Sequence, residues 1–264
     1  MTTHTILGAI AGDIFGSIYE FNNIKTTHFN LYTDNLRFTD DTILNIAVAD
    51  AILNNRPFNE TIAKYAMNYP NTYGPGFTKW FNSFDLTPYN SFGNGAAMRV
   101  APVGFAYTSL DDVLIKAKET AEASHAHPEA AKGAQAIASC IFLANDGKSK
   151  ENIKKFVEST FHYNLNFTID SVRDDYVFNA TCQETVPYSI VAFLDSVDYV
   201  SAIKLAISLG GDSDTIACMT GGIASAYYKF IPLQVVEFVE EKLPIEFKLI
   251  IDQFLDFTQQ NHVH

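Results

Sequence analysis

Cysteine is too scarce in this chain to build a framework. Cys140, Cys182 and Cys218 are odd in number and far apart, and no CxxC spacing occurs. The sequence therefore offers neither a disulfide scaffold nor a thiolate zinc site, and it suits a reducing, cytoplasmic setting. Basic charge is short too: 18 Lys and Arg stand against 30 Asp and Glu, a formal net charge of -12. The average field of such a chain repels a polyphosphate backbone, so nucleic acid is not the expected partner. A phosphate-bearing small molecule stays open, because bound cations reverse the field inside an acidic pocket. Long apolar runs are also missing. Asp13 and Glu20 interrupt the early hydrophobic stretch well before spanning length, and no basic n-region precedes it, so neither a membrane span nor an export signal is expected. Only 18% of residues are charged against 47% hydrophobic, a balance that calls for a folded, core-forming protein rather than a disordered one.

Strand-like alternation is the next absence. Apolar residues instead recur at three- and four-residue spacing, which predicts an all-α protein. No repeat, linker or low-complexity tract divides residues 1–264, so one domain and a monomer are expected. Helices are predicted at 6–18, from 39 through 51, and at 111–123, 128–147, 150–159, 187–194, 200–209, 215–228 and 233–257. Leu243-Pro244 should split the last of these, since proline disfavours helix in the residue before it. Gly8, Gly12 and Gly16 lie four apart on one helical face, where a neighbouring helix could come close. Residues 68–92 are rich in Tyr, Asn, Pro and Gly and read as a long functional loop.

Two acidic motifs stand out, Thr39-Asp40-Asp41 and Asp212-Ser213-Asp214-Thr215. Carboxylates at a helix start have a plain explanation, capping free N–H groups and facing the helix dipole. Against it, both motifs run into strongly apolar or small-residue helices, where a buried carboxylate needs a cation or hydrogen-bond partners. The second follows Gly210-Gly211, a tight turn that would make a rigid mount. Oxygen ligands without histidine or cysteine select Mg²⁺, Mn²⁺ or Ca²⁺ over zinc or copper. If the two segments converge, they could hold a pair of such ions.

Four segments together resemble the ADP-ribosylglycohydrolase family: residues 8–20 (GAIAGDIFGSIYE), 37–42 (RFTDDT), 92–102 (FGNGAAMRVAP) and 208–215 (SLGGDSDT). The resemblance implies a compact, orthogonal multi-helix bundle with a binuclear Mg²⁺ or Mn²⁺ centre held by Thr39, Asp40, Asp41, Asp212, Asp214 and Thr215. It implies catalytic roles for Glu20, Asp41 and Asp212. Gly93, Asn94, Gly95, Ala97 and Met98 would bind ADP-ribose, with Phe92 a candidate to stack on adenine. His125 would contact the ligand, and Gly74, Pro75 and Gly76 would shape its distal pocket. His127, before a proline-started helix, reads more simply as a cap. Cys182 has no partner base and is not expected to be a nucleophile. The implied reaction removes ADP-ribose from a modified protein, arginine-linked as in bacterial members. O-linked substrates (ADP-ribosylserine or O-acetyl-ADP-ribose), a two-metal nucleotide phosphohydrolase and a non-catalytic ADP-ribose binder remain as alternatives.

Overall fold

The computed structural model describes residues 5–261. The ends of the expected 1–264 domain, residues 1–4 and 262–264, lie outside the described residues. Two helices far apart in sequence form the centre: α1 (Leu7–Gly16), buried along its whole length, and α12 (Ser213–Tyr228), buried from Ser213 to Ala226. A helix apolar on every side can only be a core helix. Small residues let these two pack backbone to backbone. A Cβ added at Gly12 would collide with the Ala217 carbonyl, one at Gly8 with Ser225, and one at Gly16 with the Asp214 backbone. The glycine stripe therefore faces the helix that carries the second acidic motif.

Between them in sequence run α2 (Asp40–Leu53), α3 (Phe58–Asn68), α4 (Pro75–Phe81), α5 (Ala101–Ala106), α6 (Leu110–Glu122), α7 (Pro128–Asn145), α8 (Lys150–Phe161), α9 (Ile169–Val172), α10 (Cys182–Asp195) and α11 (Tyr199–Ser208). α13 (Leu233–Lys242) and α14 (Ile245–Asn261) follow. α7, α10 and α11 surround α12, while α14 and α3 cover α2. Among the described residues there is no strand, only two isolated bridges, Tyr89 with His125 and Gly93 with Thr181. Nor is any described helix long and apolar enough to cross a membrane. The three cysteines are buried and unpaired.

Several elements depart from the sequence expectations. The 68–92 loop contains α4, because Gly74-Pro75 starts a helix rather than only breaking one, with proline at the first helical position. Phe77, Trp80 and Phe81 anchor it in the core. α3, α5 and α9 were not foreseen; α3 buries only Thr61, Ile62, Ala63 and Ala66. α10 begins at Cys182, five residues before Pro187, which sits inside the helix. Leu243-Pro244 does divide α13 from α14.

Candidate active site

The N-termini of α2 and α12 meet. Thr39 caps α2, its hydroxyl accepting from Asp41 N at 3.3 Å, so Asp40 and Asp41 are first-turn residues rather than caps. Gly210 and Gly211 both adopt positive φ (74° and 70°), turning the chain so that Asp212 enters α12 with a side chain that caps nothing. Thr215 Oγ1 donates to Asp41 Oδ2 at 3.2 Å, joining the two motifs directly. α1 adds a third contributor. Asp13 is fully buried and accepts from Thr39 N (2.9 Å), Thr39 Oγ1 (2.6 Å), Thr42 N (3.1 Å) and Thr42 Oγ1.

The carboxylates form two triplets that share Asp214. Oxygens of Asp13, Asp41 and Asp214 lie within 4.8 Å of one another, as do those of Glu20, Asp212 and Asp214. None of these acids makes an ion pair among the described residues. Burial, followed by the neighbouring carboxylates, raises Asp41 and Asp214 well above the usual carboxylate range and Asp40 to about 8. Burial, then Asp212 and Asp13, raises Glu20 to about 7. Asp212 is also raised by burial, against hydrogen bonds that include one from Asn94. Asp41 Oδ1 is buried with no hydrogen-bond partner. Clustered, unpaired acids with an orphaned buried oxygen and an all-oxygen donor set fit hard divalent cations. Asp13 had no place in the sequence expectations; a lone carboxylate amid the apolar residues of α1 was the signal, since such a group needs partners.

The acids open onto a cavity of about 550 Å³. Of the expected site residues, Glu20, Asp40, Asp212, Asp214 and Thr215 line it, and so do Gly74, Gly76, Gly93, Asn94, Gly95, Met98 and His125. Thr39 and Asp41 are buried beside it, bonded to Asp13 and Thr215. Ala97 is fully buried and is not part of its lining. The Phe92 ring also lies outside the lining, edge-on to His127 at 5.4 Å between centroids. His127 caps α7, its Nδ1 accepting from Glu129 N at 3.1 Å.

Within the glycine loop most amides are already used. Gly93 N donates to Ser91 Oγ, Asn94 N to Ala180 O, and Ala97 N and Met98 N to Asn94 O. His125 lies directly against this loop: a Cβ at Gly93 or Gly95 would make ordinary contact with its Nε2, at 3.6 or 3.5 Å. The Asn94 amide donates to Asp212 Oδ2 at 2.6 Å, tying this loop to the acids. Cys182, its thiol pushed up to about 12 by burial, donates to Gly93 O at 3.3 Å and so holds the loop. His125 is buried, and burial followed by the nearby Arg99 charge lowers it to about 3. Arg99 is fully buried in the cavity wall, with Nε and Nη1 lacking hydrogen-bond partners.

The ADP-ribosylglycohydrolase family model matches residues 2–261. The chain belongs to the ADP-ribosylglycohydrolase family. It is accordingly a glycohydrolase. ADP-ribosylhydrolase ARH3 of Homo sapiens is 27% identical across 84% of each chain. The protein of that name from Xenopus tropicalis is 26% identical across 96% of this chain and 91% of its own. Among solved structures, an ADP-ribosylglycohydrolase-related protein complex shares the fold with a TM-score of 0.74. It is 21% identical and covers 98% of this chain and 97% of its own.

Proposed function

We propose that the chain is a metal-dependent ADP-ribosyl hydrolase that releases ADP-ribose from a modified protein side chain, arginine-linked in the first instance. The observation that carries this reading is the pair of acid triplets sharing Asp214, opening on the same cavity as the glycine loop. Thr39, Asp40, Asp41, Asp212, Asp214 and Thr215 would hold two Mg²⁺ or Mn²⁺ ions, with Asp13 fixing Thr39 beneath them. Bound there, such ions neutralise the carboxylates and supply Lewis acidity toward substrate oxygens.

The chain's own residues divide the remaining work. The loop from Gly93 to Met98 and His125 bind the ADP-ribose, while Asn94 keeps Asp212 in place through its amide. Glu20 handles the proton. Near neutrality its carboxylate accepts a proton from the attacking water as oxygen bonds to the anomeric carbon, then returns it to the departing group.

Hydrolysis of an ADP-ribosylarginine peptide tests the reading. Free ADP-ribose is expected from the wild type and none from Asp212→Ala. Release of inorganic phosphate from nucleotides would select a phosphohydrolase instead. Binding of ADP-ribose without turnover of any ADP-ribosylated substrate would select the non-catalytic alternative.

A further inference from the structure

Beyond the acids the cavity continues outward. A second hollow of about 400 Å³ is lined by Glu20, Phe21, Asn23 and Phe178, three of which also line the main cavity. Phe21 is 72% exposed and Phe178 50%. They are 6.5 Å apart between centroids and 21° from parallel. The result is a vestibule with two flat aromatic walls and a carboxylate at its inner end.

Its walls are held rather than loose. Asn23 Nδ2 donates to Tyr19 O at 2.6 Å and Gly211 O at 3.0 Å, and its Oδ1 accepts from Gly211 N at 2.7 Å. Lys25 Nζ donates to the carbonyls of Arg173, Tyr176 and Leu209 at 2.6–2.7 Å. The Phe21 segment is thus bonded both to the turn that precedes Asp212 and to the stretch that runs up to Phe178. The four residues lining the vestibule include no Lys or Arg.

We propose that Phe21 and Phe178 form the subsite for the leaving group and select a flat cation, the guanidinium of an arginine-type acceptor, over a hydroxyl-borne one. The proposal rests on the reading of the chain as an ADP-ribosyl hydrolase. With ADP-ribose between the glycine loop and the acids, the group it is attached to would emerge past Glu20 alongside the two rings, which line the same hollow. A guanidinium is planar, weakly hydrated and stacks on aromatic faces, and its N–H fork suits a carboxylate. A serine linkage brings neither charge nor a flat face, so it leaves both rings without a partner.

The test compares two ADP-ribosylated peptides, one arginine-linked and one serine-linked, in wild type, Phe21→Leu, Phe178→Leu and Phe178→Tyr. Wild type is expected to have the higher kcat/KM on the arginine-linked peptide. Each leucine variant, which keeps apolar bulk and loses the ring, should lower the arginine-to-serine ratio about 3- to 30-fold. Phe178→Tyr should preserve the ratio. A ratio unchanged in both leucine variants overturns the subsite. Faster cleavage of the serine-linked peptide by wild type also overturns it while leaving the hydrolase reading intact. Release of ADP-ribose from neither peptide overturns that reading and the subsite with it.

Discussion

Arg99 and His125 share one hydroxyl. Arg99 Nη2 donates to Ser124 Oγ at 2.8 Å, and the same oxygen lies 2.8 Å from His125 Nδ1. A guanidinium can only donate, so the serine hydrogen is left for Nδ1, and the imidazole proton belongs on Nε2. That nitrogen faces Gly93 and Gly95. With its pKa lowered to about 3, His125 stays neutral at working pH and offers a fixed N–H to the cavity.

Ser124→Ala should therefore loosen the ligand without touching it. Loss of the fixed donor is expected to weaken ADP-ribose binding by up to about 10-fold in calorimetry. The same change leaves the buried Arg99 with one partner fewer, at a cost of about 1.5 to 3 kcal/mol in unfolding free energy.

Asn94 is the one side chain of the glycine loop bonded to the acids. Groups that orient a metal ligand typically contribute about 10- to 100-fold in affinity or activity. Asn94→Ala should lower Mn²⁺ affinity and kcat by that order, while Asn94→Asp should be worse because it adds a carboxylate opposite Asp212. Titration calorimetry with Mn²⁺ alone separates the metal effect from turnover.

The acid cluster also predicts how stability depends on pH. Glu20 and Asp40 have folded pKa values of about 7 and about 8, raised from 4.5 and 3.8, so the folded state holds protons that the unfolded state has released. Their contribution is complete below about pH 4 and is lost as pH rises through 7 to 8. Chelator-treated protein should accordingly have a lower Tm at pH 8 than at pH 5.5. Saturating Mg²⁺ or Mn²⁺ should raise Tm more at pH 8, by mass action on the folded state. Equal shifts at both pH values would contradict the raised pKa values.

Gly12 has no room for a methyl group, because the Ala217 carbonyl occupies that space. The atoms the new Cβ would meet are all backbone, so relief requires α1 and α12 to separate. Gly12→Ala is expected to cost about 1 to 3 kcal/mol in denaturant unfolding. It should also weaken Mn²⁺ binding, since Asp13 and Asp214 sit on the two helices that part.

Much of this architecture was legible in the residues. Three- and four-residue spacing announced the helices, and Gly8, Gly12 and Gly16 announced a close helical neighbour. What spacing could not reveal is who that neighbour is: the stripe faces Gly221, Ala217 and Asp214, and no local pattern links those positions. Asp13 was visible only as a break in an apolar stretch and not as a site residue, for the same reason: its partners Thr39 and Thr42 are distant in sequence. Gly74-Pro75 reads as loop chemistry in sequence, yet it starts α4, whose Trp80 is buried in the core. Phe21 and Phe178 gave no signal, because an exposed phenylalanine is ordinary until a second one lies parallel to it.

The packing of α1 against α12 has a consequence for how the chain can be cut. Asp13 and Asp214 lie in opposite halves of the chain, so neither acid triplet exists in one half alone. A nick in an exposed loop, such as the one between α7 and α8, would yield two pieces that each carry part of the site. The glycine-lined seam between their central helices is what would hold those pieces in register. Mixed from separate preparations, the two fragments should regain Mn²⁺ binding only in combination, a split-protein reporter already present in the natural fold.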